Sequence, residues 1–401
     1  MLLLHLQVFL SLASLILAAQ LQATPLQVYI LAGQSNMQGH AKVTTFEHIG
    51  MDPATKSMLA EMQNPDGSPK VCKRVWVSSI GCGSDDHTEQ TGKLTTGFGA
   101  NQNGPKIGPE FTFGIYMEKS TDAPILLIKT AWGGKSLNTD FRPPSADHYE
   151  FNDSQLADFR KKGKDLATAK ADKMKQEGVY YRLMIGHVTT VLRDIKRVVP
   201  GYDVAQGYEL AGFAWFQGWN DLVDGGTYPN RDKPGGYDTY SSVMAHFIRD
   251  VRKDLGAPTL PFVIGVLGVG GPTPEYSPEQ QRYKVTHQNF RDAMAAPAQM
   301  PEFKGNVAAM RSEKYWDLEL DAAKVKDDAF KQKAKKLAIR EKLNPADEKA
   351  ALEKMRSEGL TEHERKILEV GISNFAFHYL GSAKILGGIG KGLAETMVEL
   401  K

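Results

Sequence analysis

The chain has little cysteine, two residues in 401, and no excess of either charge, with 49 Lys and Arg against 47 Asp and Glu. Two thiols cannot build a disulfide framework or a thiolate zinc site. A formal net charge of +2 leaves no global field to hold polyphosphate. Composition therefore excludes a dedicated nucleic-acid binder and a protein held on membranes by charge. Internal repeats and low-complexity tracts are absent, and beyond residue 19 no apolar run is long enough to concern a membrane. What remains is an ordinary globular composition, 41% hydrophobic and 24% charged, in a chain long enough to bury a large core.

The apolar run Met1–Ala19, followed by Gln20 and by Ala23-Thr24-Pro25, reads as a secretory signal peptide over residues 1–23. His5 stands where Lys or Arg is usual, and Leu17 or Leu21 stands where a small residue precedes cleavage, so an uncleaved N-terminal anchor is the alternative. Either way the folded part is expected outside the cytoplasm, secreted or periplasmic. There Cys72 and Cys82, which flank the strand-like segment VWVSSI, could pair or could stay as two separately buried thiols.

Four apolar runs read as buried parallel strands: Leu26–Ala32, Ile125–Thr130, Gly212–Phe216 and Phe262–Leu267. A Gly-containing turn follows each, and helical patterns lie between them, as over Tyr181–Val198. Strands alternating with helices predict an α/β fold with a central parallel sheet covered on both faces. Ligands of such sheets bind where the carboxyl ends of the strands open into loops. From Arg311 to Val370 the composition changes, with 15 basic and 14 acidic residues among 60. Residues 24–401 are thus expected to form one domain, interrupted at about 305–370 by a charged helical insertion that Asn344-Pro345 breaks into a hairpin.

Ser35 follows the first strand in a tight turn, Gly33-Gln34-Ser35-Asn36-Met37, which places its hydroxyl at the strand's carboxyl end beside the backbone N–H groups of a helix start. A Ser there also serves as a plain N-cap. Three further segments accompany it: Trp132-Gly133-Gly134-Lys135-Ser136, Trp215-Phe216-Gln217-Gly218-Trp219-Asn220-Asp221, and His378-Tyr379-Leu380-Gly381-Ser382 ahead of a small-residue helix over Ala383–Leu400.

In this order the four segments resemble the blocks of the SGNH hydrolase superfamily, in its sialate O-acetylesterase-like branch related to acetyl-xylan esterases. The similarity spans residues 26–300 and 371–401, and the charged insertion has no counterpart in it. The resemblance implies a three-layer α/β/α sandwich of flavodoxin-like type. It also implies an O-acetylesterase acting on an acetylated glycan, with no metal or organic cofactor. Carried over by position, Ser35 is the nucleophile, His378 its general base, and the Ser35 and Gly134 N–H groups with the Gln217 side chain form the oxyanion hole. Gln34, Asn36, Trp132 and Lys135 are candidate substrate contacts, as are Arg142, Trp219 and Asn220.

The sequence departs from that pattern at the acid that orients the base. The usual position, three residues before the His, is Phe375, and the alternative after the Gln-Gly of the third block is Trp219. Asp221 is the first candidate, Asn374 the second, and a Ser–His dyad with a backbone carbonyl the third. Asp85-Asp86-His87 reads as a solvated loop, and His40 as a packing residue. An ion pair between Asp140 and Arg142 competes with substrate binding by Arg142. Two other functions stay open: a noncatalytic glycan-binding protein on the same scaffold, and an O-acyltransferase.

Overall fold

The computed structural model describes residues 24–101 and 104–401, so the expected signal peptide lies outside the described residues. Among the described residues there are nine strands: β1 (Leu26–Gly33), β2 (Ala41–Lys42), β3 (Val75–Ile80), β4 (Glu89–Lys93), β5 (Lys106–Ile107), β6 (Ile125–Ala131), β7 (Tyr208–Phe216), β8 (Phe262–Val266) and β9 (Val307–Arg311). Seven form one sheet in the order β4-β3-β6-β1-β7-β8-β9. All neighbours in it run parallel except β3 with β4. Strands β2 and β5 make a separate two-stranded ribbon.

Register decides where the chemistry can sit. Strand β1 ends with Gly33 opposite Ala131 of β6 on one side and Phe216 of β7 on the other. The three segments SNM, WGG and QGWND therefore leave the sheet side by side. Because β1 lies where chain progression reverses across the sheet, this edge is the switch point at which α/β sheets bind ligands. Gly33 is required there by close approach, since a Cβ on it would lie 2.1 Å from the Phe216 carbonyl oxygen.

Helices cover both faces. On one side lie α2 (Pro109–Ser120) and α10 (Ala383–Glu399), where Phe113 meets Tyr29 edge-on at 5.6 Å. The two helices touch closely, because a Cβ at Gly390 would stand 2.2 Å from the Pro109 carbonyl oxygen. On the other side lie α3 (Val179–Arg193), α5 (Asp238–Asp254) and α6 (Lys284–Ala295), and the short α4 (Trp219–Val223) follows β7. There Phe247 packs on Trp215 at 4.5 Å and on Tyr181 at 5.7 Å. Each large apolar side chain so buried contributes roughly 1.5–3 kcal/mol. Strand β6 also buries Lys129, whose Nζ donates to Glu110 Oε2 at 2.7 Å and to the Gln38 and Phe98 carbonyls at 2.8 Å each. All three ammonium protons are thereby used, which such a buried charge needs. The bond to Gln38 fixes the last residue of α1 (Ser35–Gln38), the short helix that Ser35 heads.

The charged segment departs from expectation at its start and in its number of helices. Residues 307–311 are β9, an edge strand of the main sheet, and not part of the insertion. The helical part comprises α7 (Leu318–Glu341), α8 (Pro345–Gly359) and α9 (Glu362–Gly371), three helices in place of a hairpin. Asn344 caps α8, as its position before the Pro suggests, and Thr361 with Glu364 forms a capping box on α9. Arg356 ties α8 to Asp327 of α7 at 2.6 Å. Cys72 and Cys82 are both free and buried, so the alternative of two separate thiols is the one observed.

Candidate active site

Ser35 sits at the carboxyl end of β1 and is 8% exposed, at the floor of a cleft of about 320 Å³. Gln38, His40, Gly133, Gly134, Trp219, Asn220, Phe377 and His378 complete its lining. Four chain segments thus meet in one place, brought there by the strand register and by the turn before α10. Gly133 passes over Ser35 at van der Waals distance, since a Cβ on it would lie 3.9 Å from Ser35 Cβ. Among the described residues neither the Ser35 N–H nor the Gly134 N–H has an intramolecular acceptor. Both are open to an oxyanion.

His378 is held by an unusual backbone. Tyr379 (φ 52°) and Leu380 (φ 60°), which follow it, both adopt the left-handed conformation without being glycine. Such strain persists only where surrounding contacts over-determine it. The Tyr379 hydroxyl accepts from Gly268 N at 2.9 Å and lies 2.9 Å from Ser312 Oγ, while the Leu380 carbonyl accepts from Ser373 N and Asn374 N. The turn so fixed brings His378 Nδ1 to 3.0 Å from Asn374 Oδ1. That oxygen also accepts from Phe375 N at 2.8 Å, which identifies it as the carbonyl side of the amide. His378 Nδ1 therefore bears the proton, and Nε2 is left as the basic nitrogen.

His40, read from sequence as a packing residue, lies flat on His378, with ring centroids 3.9 Å apart and planes 2° apart. The Asn374 amide reaches both rings, its Nδ2 facing His40 Nδ1 at 3.4 Å. Burial, followed by the positive charge of Lys106, pushes the His378 pKa down to about 4. Burial first, then the charges of His378, Lys106 and Lys129, pushes His40 down to about 3. No hydrogen bond joins Ser35 Oγ to His378 among the described residues; such bonds commonly close only in the substrate complex.

Several sequence expectations are corrected by this geometry. Asp221 is 1% exposed and does not meet His378. Its carboxylate accepts from Leu137 N (2.8 Å), Asn138 N (3.1 Å), Gln217 Nε2 (2.6 Å) and Tyr228 OH (3.1 Å). Burial raises its pKa to about 6 against these bonds. It clips the Gly134 loop to the Asn220 loop and so sets their spacing. Gln217 is committed as well: Nε2 donates to Asp221 and to the Lys135 carbonyl, and Oε1 accepts from Tyr240. The free side-chain amide in the cleft is that of Asn220, which makes no hydrogen bond among the described residues, while its N–H donates to Gln34 Oε1 at 3.4 Å.

Trp132 is 1% exposed, with Nε1 on the Asp86 carbonyl, and stands in the core, not at a subsite. Lys135 places its ammonium 4.1 Å over the Tyr180 ring and does not line the cleft. Arg142 faces a separate groove, bonded to Asn138 and the Asp147 carbonyl, while Asp140 takes Ser136, and no ion pair joins the two among the described residues. Gln34 and Asn36 are buried beside Ser35, with Gln34 Nε2 and both polar atoms of Asn36 unpartnered among the described residues. Trp219 lines the cleft. Sequence reasoning missed Phe377, which packs edge-on against His378 at 4.5 Å, although its place one residue before the His was a usable signal. No group of three or more His, Cys, Asp or Glu among the described residues is arranged to hold a metal.

Residues 25–309 match the family model described as carbohydrate esterase, sialic acid-specific acetylesterase. No curated protein matches the chain. Among solved structures, a protein from Arabidopsis thaliana is 17% identical with a TM-score of 0.39, over 72% of this chain and 86% of that one. A carbohydrate acetylesterase from Xanthomonas citri is 15% identical with a TM-score of 0.38, over 71% of this chain and 49% of that one. NanS is 11% identical with a TM-score of 0.37, over 72% of this chain and 78% of that one.

Proposed function

The chain belongs to the sialic acid-specific acetylesterase family of carbohydrate esterases, and on that premise we propose that it removes acetyl groups from a glycan through an acyl-enzyme on Ser35, with His378 as general base. The observation that carries this reading is the single cleft that joins Ser35, two unpaired backbone donors and an imidazole whose far nitrogen is pinned by Asn374. We read the Met1–Ala19 run as its export signal.

In the first half-reaction Ser35 Oγ attacks the acetyl carbonyl as His378 Nε2 takes the hydroxyl proton. The carbonyl oxygen becomes an oxyanion facing the Ser35 and Gly134 N–H groups, with the Asn220 amide as the third donor. Each such preorganised donor contributes about 3–4 kcal/mol to the transition state. Collapse breaks the bond to the sugar oxygen, which receives the proton from His378 and departs as the alcohol. Water then adds to acetyl-Ser35 with His378 again as base, and acetate leaves. Asn374 keeps the imidazole in the productive tautomer but adds no charge to offset the imidazolium. With burial and Lys106 lowering its pKa and no carboxylate beside it to raise it, the base works with a low pKa.

Acetate release from acetylated sialic acid, acetylated xylan and acetylated pectin, followed against pH, tests the proposal. Only neutral His378 accepts the proton, so kcat/KM is expected to stay flat down to about pH 5 and to fall about tenfold per unit below about pH 4. Asn374→Asp sets a carboxylate beside Nδ1, favours the imidazolium, and is expected to move that midpoint upward toward the ordinary His value. A midpoint near 6.5 in the wild type, unmoved by Asn374→Asp, would remove His378 from the mechanism. Glycan binding without acetate release would turn the proposal to the noncatalytic alternative, and acetylated acceptor in place of acetate to a transferase.

A further inference from the structure

The position where the resemblance leads one to expect the orienting acid holds Phe375, and the structure gives that ring a different task. Trp219 and Phe377, both in the cleft lining, stack at 5.7 Å with planes 29° apart. Phe377 stacks in turn on Phe375 at 5.3 Å and 12°. The three rings form a near-parallel row that begins inside the cleft and ends at Phe375, which is 68% exposed. A lone exposed aromatic needs no explanation, but one that continues a row from the catalytic cleft is a ligand surface in search of its ligand.

The side on which the row lies identifies what meets it. The acetyl carbonyl has to sit between Ser35 and the Gly134 N–H. His378 has to face the departing sugar oxygen, because it returns the proton there. Phe377 abuts His378, so the row passes beside the group that faces the departing sugar oxygen. A sugar ring presents a face of C–H bonds, which suits the electron-rich face of an aromatic ring, and no charged side chain lines the cleft.

We propose that Trp219, Phe377 and Phe375 form a stacking shelf for a sugar ring adjoining the acetylated one, so that the substrate is an oligosaccharide or polysaccharide and not a lone acetylated monosaccharide. This deepens, and rests on, the esterase reading of the same cleft. The shelf also gives a reason for an aromatic side chain at residue 375: the Asn374 amide orients the base, which leaves the acid's usual position free to contact substrate.

The test uses the full protein with acetylated xylose, acetylated xylotetraose and 4-nitrophenyl acetate as probes. Wild type is expected to favour the tetraose over xylose in kcat/KM. Phe375→Ala should cut that preference by about three- to tenfold, the scale of one aromatic contact, through KM and not kcat, while Phe375→Trp retains it. The ring is exposed, and its backbone N–H, which bonds Asn374, survives either substitution. A wild type without preference, or a Phe375→Ala loss equal on all three probes, would overturn the shelf. Failure to cleave even 4-nitrophenyl acetate would overturn the esterase reading and the shelf with it.

Discussion

Ser35→Ala is expected to lower kcat/KM for acetate release by about 10⁴-fold or more while the protein stays folded and still binds glycan. The magnitude follows from the mechanism, since removing the nucleophile deletes the covalent path and leaves only the oxyanion donors to help a direct attack by water. The fold should tolerate the change, because Ser35 Oγ makes no hydrogen bond among the described residues and Ala removes only that oxygen. Acetate release and thermal unfolding, measured on the same preparation, check both halves. Equal activity of wild type and variant would mean that the ester is cleaved elsewhere.

His378→Ala is expected to fall as far, about 10⁴-fold, and the Ser35→Ala/His378→Ala double variant no further, because the two groups act as one unit. Asn374→Ala should cost less, about 10²-fold, since it loosens the imidazole without removing it. Sequence and structure point here to different partners of the imidazole. If Asp221 were the partner of His378, Asp221→Asn would be the damaging change and Asn374→Ala would be mild. The structure instead gives Asp221 four donors in the loop framework, so its replacement should act through stability and the spacing of Gly134 from Asn220. Comparing the kinetics and unfolding midpoints of the two variants separates a group that orients the base from a group that holds loops.

How far the sequence could be read follows from what encodes each feature. The strands ending in Gly33, Ala131, Phe216 and Val266 were legible because runs buried on both faces are continuously apolar and end at glycine or polar turns. Ser35 could be placed at a strand end from its own turn, whereas Gly134 and His378 were singled out by resemblance to the four sequence blocks, and the structure brings all three to one cleft. Strand β9 was not legible: Val307–Arg311 is a short segment, Val-Ala-Ala-Met-Arg, that runs directly into the charged stretch, and only pairing with β8 makes it a strand. Of the three candidate partners of His378, Asp221 ranked first and Asn374 second, and sequence could not reverse that order, because hydrogen bonding between Asn374 and the imidazole depends on two consecutive left-handed residues, Tyr379 and Leu380, that no propensity favours. Trp132 looked like a rim aromatic by its place after a strand, yet its indole turns inward against Phe141 and Tyr180. Burial of that kind is set by what packs above the strand end, which sequence distance does not report.

The covalent intermediate is the claim on which the rest depends, and it can be seen directly. The wild-type protein, mixed with excess 4-nitrophenyl acetate and quenched in acid within the first turnover, should carry one acetyl group, located by peptide mass spectrometry on Ser35 and absent from Ser35→Ala treated the same way. Turnover with no acetyl on Ser35 at any quench time, or an acetyl group on another residue whose removal abolishes activity, would contradict the account.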